Sequence, residues 1–170
     1  MTALIFAKAA GAITIITSSS DEKLEYAKSK LGADYTINYK THPDWAAEVK
    51  RITNGQGVDH VVEVSGLGTI QQSLESVALG GTVSVLGFLT TVSQEEMPNI
   101  LMSTILKGCV IRGILGGSKQ QLEEAVKCMA SNELQMPVDR VFGFSRDEVI
   151  AAFTYVASGK HMGKVCINLD

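Results

Sequence analysis

The sequence predicts an α/β fold, a Rossmann-type doubly wound parallel sheet, on the strength of three observations. Short β-branched apolar runs alternate with amphipathic helical stripes along most of the chain, the pattern of repeated strand–helix–strand units. The strand candidates, at 13–17, 35–39, 60–64, 82–88, 110–115 and 165–169, are mostly continuous apolar runs, as expected where helices cover both faces of a sheet. Three of these strands run into glycine, at Gly66, Gly87 and Gly116. Glycine there lets a ligand approach the main chain at the carboxyl edge of the sheet.

Each helix carries its own start and stop signals. The chain opens inside a helical pattern at 2–10 with no strand before it. Ser19 and Glu22 have capping-box spacing, and Leu24, Ala27 and Leu31 follow before a stop at Gly32. His42 precedes Pro43, a favourable first helical residue, and Trp45, Val49 and Ile52 form a stripe that ends at Asn54-Gly55. Ile70, Leu74 and Val77 repeat the stripe up to Gly80-Gly81, as do Leu122, Val126 and Met129. A Ser145/Glu148 box opens a final helix with Val149, Phe153 and Val156 inward. These stripes read as core faces. After Asn132 the alternation changes: 136–144 is an irregular apolar stretch containing Pro137, and one helix and one strand finish the chain. The expected division is therefore a doubly wound α/β unit at 1–132 and a C-terminal segment at 133–170.

Bulk properties narrow the function classes. With 170 residues, 45% apolar, 19% charged and a formal charge of −3, nothing favours nucleic acid or an anionic membrane as a partner. Apolar runs stop far short of the ~20 residues a membrane span requires. No basic segment followed by an apolar run opens the chain. Cys109, Cys128 and Cys166 are scattered and odd in number, which reads as reduced thiols in a cytoplasmic protein.

Chemistry concentrates at strand ends. The first strand ends in Thr17-Ser18-Ser19-Ser20-Asp21-Glu22-Lys23, where a dinucleotide fold meets the adenosine ribose. An acid at this tip favours NAD. Small hydroxyls with a nearby cation leave room for a 2′-phosphate, so three serines with Lys23, and Tyr39-Lys40 on the next strand, favour NADP over NAD despite Asp21 and Glu22. Ser65-Gly66-Leu67-Gly68 supplies G-x-G between a strand and a helix, but Gln71 stands where the third glycine belongs and no acid lies about twenty residues on. It is a weak primary phosphate loop and a better backbone lining. Leu86-Gly87-Phe88 and Leu115-Gly116-Gly117 end strands in the same manner. His42, His60 and His161 have no metal-ligand spacing with one another or with the cysteines, no catalytic acid or base stands out, and His161 reads as a surface residue.

Several segments then stand in order: Ala7-Lys8-Ala9-Ala10-Gly11-Ala12, Ser18 to Leu24, Leu31-Gly32-Ala33-Asp34, Ile37-Asn38-Tyr39, Gly57-Val58-Asp59-His60-Val61-Val62-Glu63, Gly80-Gly81 and His161-Met162-Gly163-Lys164-Val165. Together they closely resemble the C-terminal, cofactor-binding half of zinc-type alcohol dehydrogenases and quinone oxidoreductases of the medium-chain superfamily. The resemblance implies strand order 3-2-1-4-5-6, with the first strand and its glycine-rich phosphate loop lying before Met1, so that two facing strands lack a neighbour. It implies that Ser18, Ser19 and Lys23 meet the ribose, with Tyr39 nearby. Ser65, Gly66 and Leu67 would flank the adenosine, while Leu86, Gly87, Phe88, Leu115, Gly116 and Gly117 would line the nicotinamide side, with Lys164 a further contact. The implied cofactor is NADP(H), and the implied substrate an alcohol, aldehyde or quinone-like molecule met only in the full-length context. Zinc belongs to the full-length family, with no site in this chain. The resemblance also implies a homodimer through the edge that begins at Val110 and ends at Leu115. Lacking the catalytic domain, the chain is expected to be inactive alone. The alternative is a non-enzymatic interaction module completed by a partner's strand.

Overall fold

The computed structural model describes residues 1–90, 92–93 and 97–170. Seven helices and seven strands alternate along these residues: α1 (Thr2–Ala9), β1 (Ile15–Ser18), α2 (Asp21–Leu31), β2 (Tyr35–Asn38), α3 (Trp45–Ile52), β3 (Val58–Glu63), α4 (Ile70–Ser76), β4 (Val77–Val85), α5 (Ile100–Lys107), β5 (Val110–Gly113), α6 (Lys119–Ser131), β6 (Val138–Phe142), α7 (Arg146–Ala157) and β7 (Lys164–Ile167). Every strand pairing is parallel, so the α/β, Rossmann-like expectation holds. Among the described residues the strands form three sheets, β1-β2, β3-β4-β5 and β6-β7. The break between the first two falls where the implied order would insert a strand between β1 and β3.

Local chemistry explains most boundaries. The α2 cap is Ser20 rather than the expected Ser19: its side chain accepts from the Lys23 N–H, and Gly32 closes the helix in the left-handed conformation. Asp44, not the His42-Pro43 pair, starts α3 by accepting from the Ala47 N–H. The stripe through Val77 is not wholly helical. α4 ends at Ser76, and Val77 turns extended to open β4, because its side chain reaches the same core (0% exposed) from the strand. Register shifts between Val58/Val77 and His60/Thr82, and Leu79 projects outward in the irregular stretch. The expected irregular stretch at 136–144 contains a true strand, β6, paired with β7. Helix α5, capped by Asn99 and Gly108, had no sequence stripe to announce it. At α7 Ser145 caps as expected, but the Glu148 carboxylate accepts from the Gly143 N–H and the Ser145 hydroxyl instead of closing a box. The capping box proper is at α6, between Ser118 and Gln121.

Two buried clusters underlie the first two sheets. Leu4, Ala27 and Ala33, with Ile16 and Leu31 against them, join α1 and α2 to β1. Ile70, Leu74, Val77, Val83 and Cys109 form the larger cluster, with Val61, Val85, Ile100 and Ile111 packed around it. An ionic lock supports the smaller one. Asp34 accepts from Lys8 Nζ at 2.9 Å and from the Thr14 N–H at 2.7 Å, and these partners hold its carboxyl at about 2, well below the usual carboxylate range.

Candidate functional site

In a parallel sheet all carboxyl ends lie on one edge, and register decides how closely their loops meet. Ser18 pairs with Asn38, while Glu63, Val85 and Gly113 share one row across β3, β4 and β5. The implied site residues other than Lys164, which opens β7 in the third sheet, therefore follow strand ends on two separate sheets.

At the first, the Tyr39 N–H donates to the Ser18 carbonyl at 3.1 Å, bringing Tyr39 beside Ser18 as expected. The Ser18 hydroxyl accepts from the Ser20 N–H at 3.3 Å. Asp21, the acid that tempered the NADP reading, has its carboxylate held by the Asn38 amide at 2.6 Å. Ser19 is half-buried on the same turn.

Lys23 turns away from this group. Its ammonium donates to the Gly159 carbonyl at 2.6 Å and the His161 carbonyl at 3.3 Å. There it lines a cavity of 270 Å³ together with Met1, Thr2, His161, Gly163 and Lys164. The structure thus unites Lys23 and Lys164, which are far apart in sequence, at the N-terminus of α1. The first-turn N–H groups of a helix lack intrahelical acceptors and carry partial positive charge. Two lysines lie beside them, so the recess carries positive charge of the kind that favours an anion. His161 is not the expected surface residue: it is half-buried, and its Nδ1 is enclosed with no hydrogen-bond partner. No periodicity could have announced this, because the wall is assembled from residues 1–2, 23, 136–137, 161 and 163–164.

The second group is compact. Leu86 N–H donates to the Glu63 carbonyl at 2.8 Å, and Leu89 and Thr90 N–H groups donate to the Ser65 carbonyl at 2.9 Å. The loop at Ser65 and Gly66 therefore lies against the segment from Leu86 to Thr90, while Leu67 packs on the core cluster of α4 and β4. Gly66 has φ +87°, and a Cβ on it would come within 3.0 Å of the Phe88 Cα; a Cβ on Gly87 would meet the Val64 carbonyl oxygen at 2.1 Å. Neither loop could close on the other with a side chain at these positions. Phe88 is 63% exposed, leaving an apolar surface at the rim. Leu115, Gly116 and Gly117 follow β5, tied back by the Ile114 N–H to the Val85 carbonyl at 2.9 Å, and all three are exposed.

These features fit a dinucleotide: hydroxyls at the β1 tip, a cation-lined recess at a helix N-terminus, and side-chain-free backbone at two loops. Among the described residues, no group of three His, Cys, Asp or Glu side chains converges on one point. Among the same residues, no helix is long and apolar enough to cross a membrane.

Residues 1–131 match the family described as zinc-binding dehydrogenase. A zinc-type alcohol dehydrogenase-like protein of Schizosaccharomyces pombe is 44% identical over 99% of this chain and 48% of its own length. An NAD-dependent alcohol dehydrogenase superposes with a TM-score of 0.85 at 31% identity, covering 99% of this chain and 47% of the other. A quinone oxidoreductase of Pseudomonas syringae pv. Tomato gives a TM-score of 0.78 at 30% identity, covering 98% and 52%. The chain spans about half the length of the curated relatives it matches. Its fold is that of the NAD(P)-binding part of these oxidoreductases, and the chain belongs to the zinc-binding dehydrogenase family, among the alcohol dehydrogenase-like members of the medium-chain superfamily.

Proposed function

We propose that this chain is the cofactor-binding portion of an NADP(H)-dependent oxidoreductase acting on an alcohol, aldehyde or quinone-like substrate, and that alone it has no turnover. The observations that carry the reading are the Ser18 tip and the Gly66/Gly87 loops at strand carboxyl ends, together with the recess that Lys23, from the first turn of α2, shares with Lys164, the first residue of β7. Bound nicotinamide would donate or accept the hydride; the residues of this chain hold and orient it. Lys23, Lys164 and the α1 N-terminus attract the phosphates. Ser18 and Ser19 offer hydroxyls to the ribose, with Tyr39 beside them. Leu86, Gly87 and Phe88, with Leu115, Gly116 and Gly117, exclude water from the nicotinamide.

The choice of NADP(H) rests on the hydroxyl tip and on the Asn38 amide that occupies Asp21. Lys23 acts at the recess in this reading, so the 2′-phosphate is met by the hydroxyls. Affinity for NADPH and NADH is measured by titration with the purified chain and with Ser18→Asp. The carboxylate is expected to weaken NADPH binding roughly tenfold or more and to spare NADH. Equal loss of both would sink the selectivity, and absence of binding by the unsubstituted chain would sink the function.

The exposed apolar residues of β5 and α5, Val110 at 55%, Leu101 at 78% and Ile105 at 73%, support a homodimer through the β5 edge. Val110→Lys would then shift sedimentation from dimer to monomer. In the same reading, residues 133–170 return towards a catalytic domain. A second reading is favoured by the unpaired edges that β1 and β3 leave among the described residues: an interaction module completed by a partner's strand. A stable complex with another protein that forms equally well with and without NADPH would favour it.

A further inference from the structure

The buried carboxylate of Glu63 has no counterpart among the residues assigned above. It is 4% exposed at the end of β3. Oε1 accepts from the Ser65 N–H at 2.8 Å, the Gly66 N–H at 3.0 Å and the Thr69 hydroxyl at 2.7 Å. Oε2 accepts from the Ser73 hydroxyl at 2.5 Å. Two of these donors belong to the loop after β3, and the other two to the helix start that follows. One side chain thus fixes where strand, loop and α4 meet. Its use of acceptors only is what a carboxylate offers and what a hydroxyl or amine could not.

Thr90 repeats the device from the other side. Its hydroxyl donates to the Ser65 carbonyl at 2.8 Å and accepts from the Gly68 N–H at 3.0 Å, while Gly66 and Thr90 make an isolated parallel bridge. The loop is therefore held from beneath by a carboxylate and from the side by a hydroxyl. It spends its Ser65, Gly66 and Gly68 N–H groups inward, on Glu63 and Thr90. A ligand at this loop meets a pre-set surface rather than backbone amides that must reorganise, and such preorganisation lowers the ordering cost of binding.

We propose that Glu63 is a positioning residue for the nucleotide site: with Thr90 it sets the Ser65–Gly68 backbone against 86–90, and nucleotide affinity depends on that setting. The inference rests on the function proposed above. Glu63→Ala leaves the Ser65 and Gly66 amides without their acceptor, whereas Glu63→Gln can keep the Oε1 acceptor and turn its amide towards the Ser73 hydroxyl. Val83→Ala serves as a core control distant in role, since it lowers stability without touching either loop.

The experiment titrates NADPH and NADH into the unsubstituted chain and these three variants, well below all their melting temperatures. Amide hydrogen exchange is followed in parallel. Glu63→Ala is expected to weaken binding about tenfold and to speed exchange at Ser65 and Gly66, leaving Val83 and Ser84 protected. Glu63→Gln is expected to restore most of the affinity, and Val83→Ala to leave it unchanged despite a lower melting temperature. Affinity that follows melting temperature across all variants, unchanged exchange at Ser65 and Gly66, or a glutamine as weak as alanine each overturn the positioning role alone. An unsubstituted chain that binds neither nucleotide overturns the proposed function instead, and the positioning role with it.

Discussion

Beneath α4, Leu74, Val77 and Val83 are 1%, 0% and 0% exposed, whereas around α7, Val141, Phe144 and Phe153 stand 59%, 66% and 69% exposed. Both regions are made from the same local materials. Each has parallel strands, a helix between them, and polar ties at strand ends. The C-terminal unit even has its own lock: Asp139 accepts from the Tyr155 hydroxyl at 2.7 Å and from the Met162 N–H, which lowers its carboxyl below the usual value. Arg140 lies over the Tyr155 ring at 4.5 Å. What differs is burial. Around α7 only Ala152 is buried, so the unit has hydrogen bonds and stacking but scarcely any apolar area removed from water. Element formation and core formation are thus separable, and the second supplies most of the stability.

Substitutions in the two regions can break or sharpen that contrast. The largest effect is expected for Leu74→Ala, a loss of about 2–5 kcal/mol in chemical denaturation from lost transfer energy plus a cavity. A loss below about 1 kcal/mol would mean that the α4 core is looser than its burial indicates. Next come the helix caps. Ser20→Ala and Ser145→Ala should each cost about 1 kcal/mol, and nearly the same amount, because a cap acts on its own first turn whatever lies beneath the helix.

The Asp34 lock is smaller, because the Lys8–Asp34 pair faces solvent and exposed pairs are screened. Its carboxyl is depressed from 3.8 to about 2. Its contribution is therefore complete above pH 4 and is lost as pH falls through about 2. Melting temperatures taken between pH 5 and 2 should fall less steeply for Asp34→Asn than for the native chain; parallel curves would remove the lock from the account. Phe153→Ser should be nearly silent, within about 0.5 kcal/mol, and a loss above about 2 kcal/mol would reveal a contact that covers α7.

Much of the architecture was legible in the chain. The helix ending at Gly32 follows from turn chemistry, and the strands expected at 35–39, 60–64, 82–88 and 110–115 follow from apolar runs, though the structure ends them earlier, at Asn38, Glu63, Val85 and Gly113. The errors have local causes. Ser20 outcompetes Ser19 because the Lys23 amide lies within its reach, and Val77 satisfies the α4 stripe while belonging to β4. Pro137 concealed β6, whose irregular register begins beside it. Of the site, Ser18 with Tyr39 and Gly66 with Gly87 were readable as strand ends. The shared recess of Lys23, His161 and Lys164 was not, since its members come from opposite ends of the chain, and neither was the use of Glu63, since burial under the loop after β3 leaves no local mark in the sequence.

The sequence by itself determined the parallel α/β class, because alternation period, caps and glycines act over a few residues and leave a local signature, while the family was carried by the resemblance of its ordered segments. Tertiary structure alone decided that a lysine of α2 and a lysine of β7 share a recess at the start of α1, and that a glutamate is buried under a glycine loop. Those outcomes depend on which distant surfaces are pressed together and on which polar groups must find partners once water is excluded, and no window of neighbouring residues carries that information.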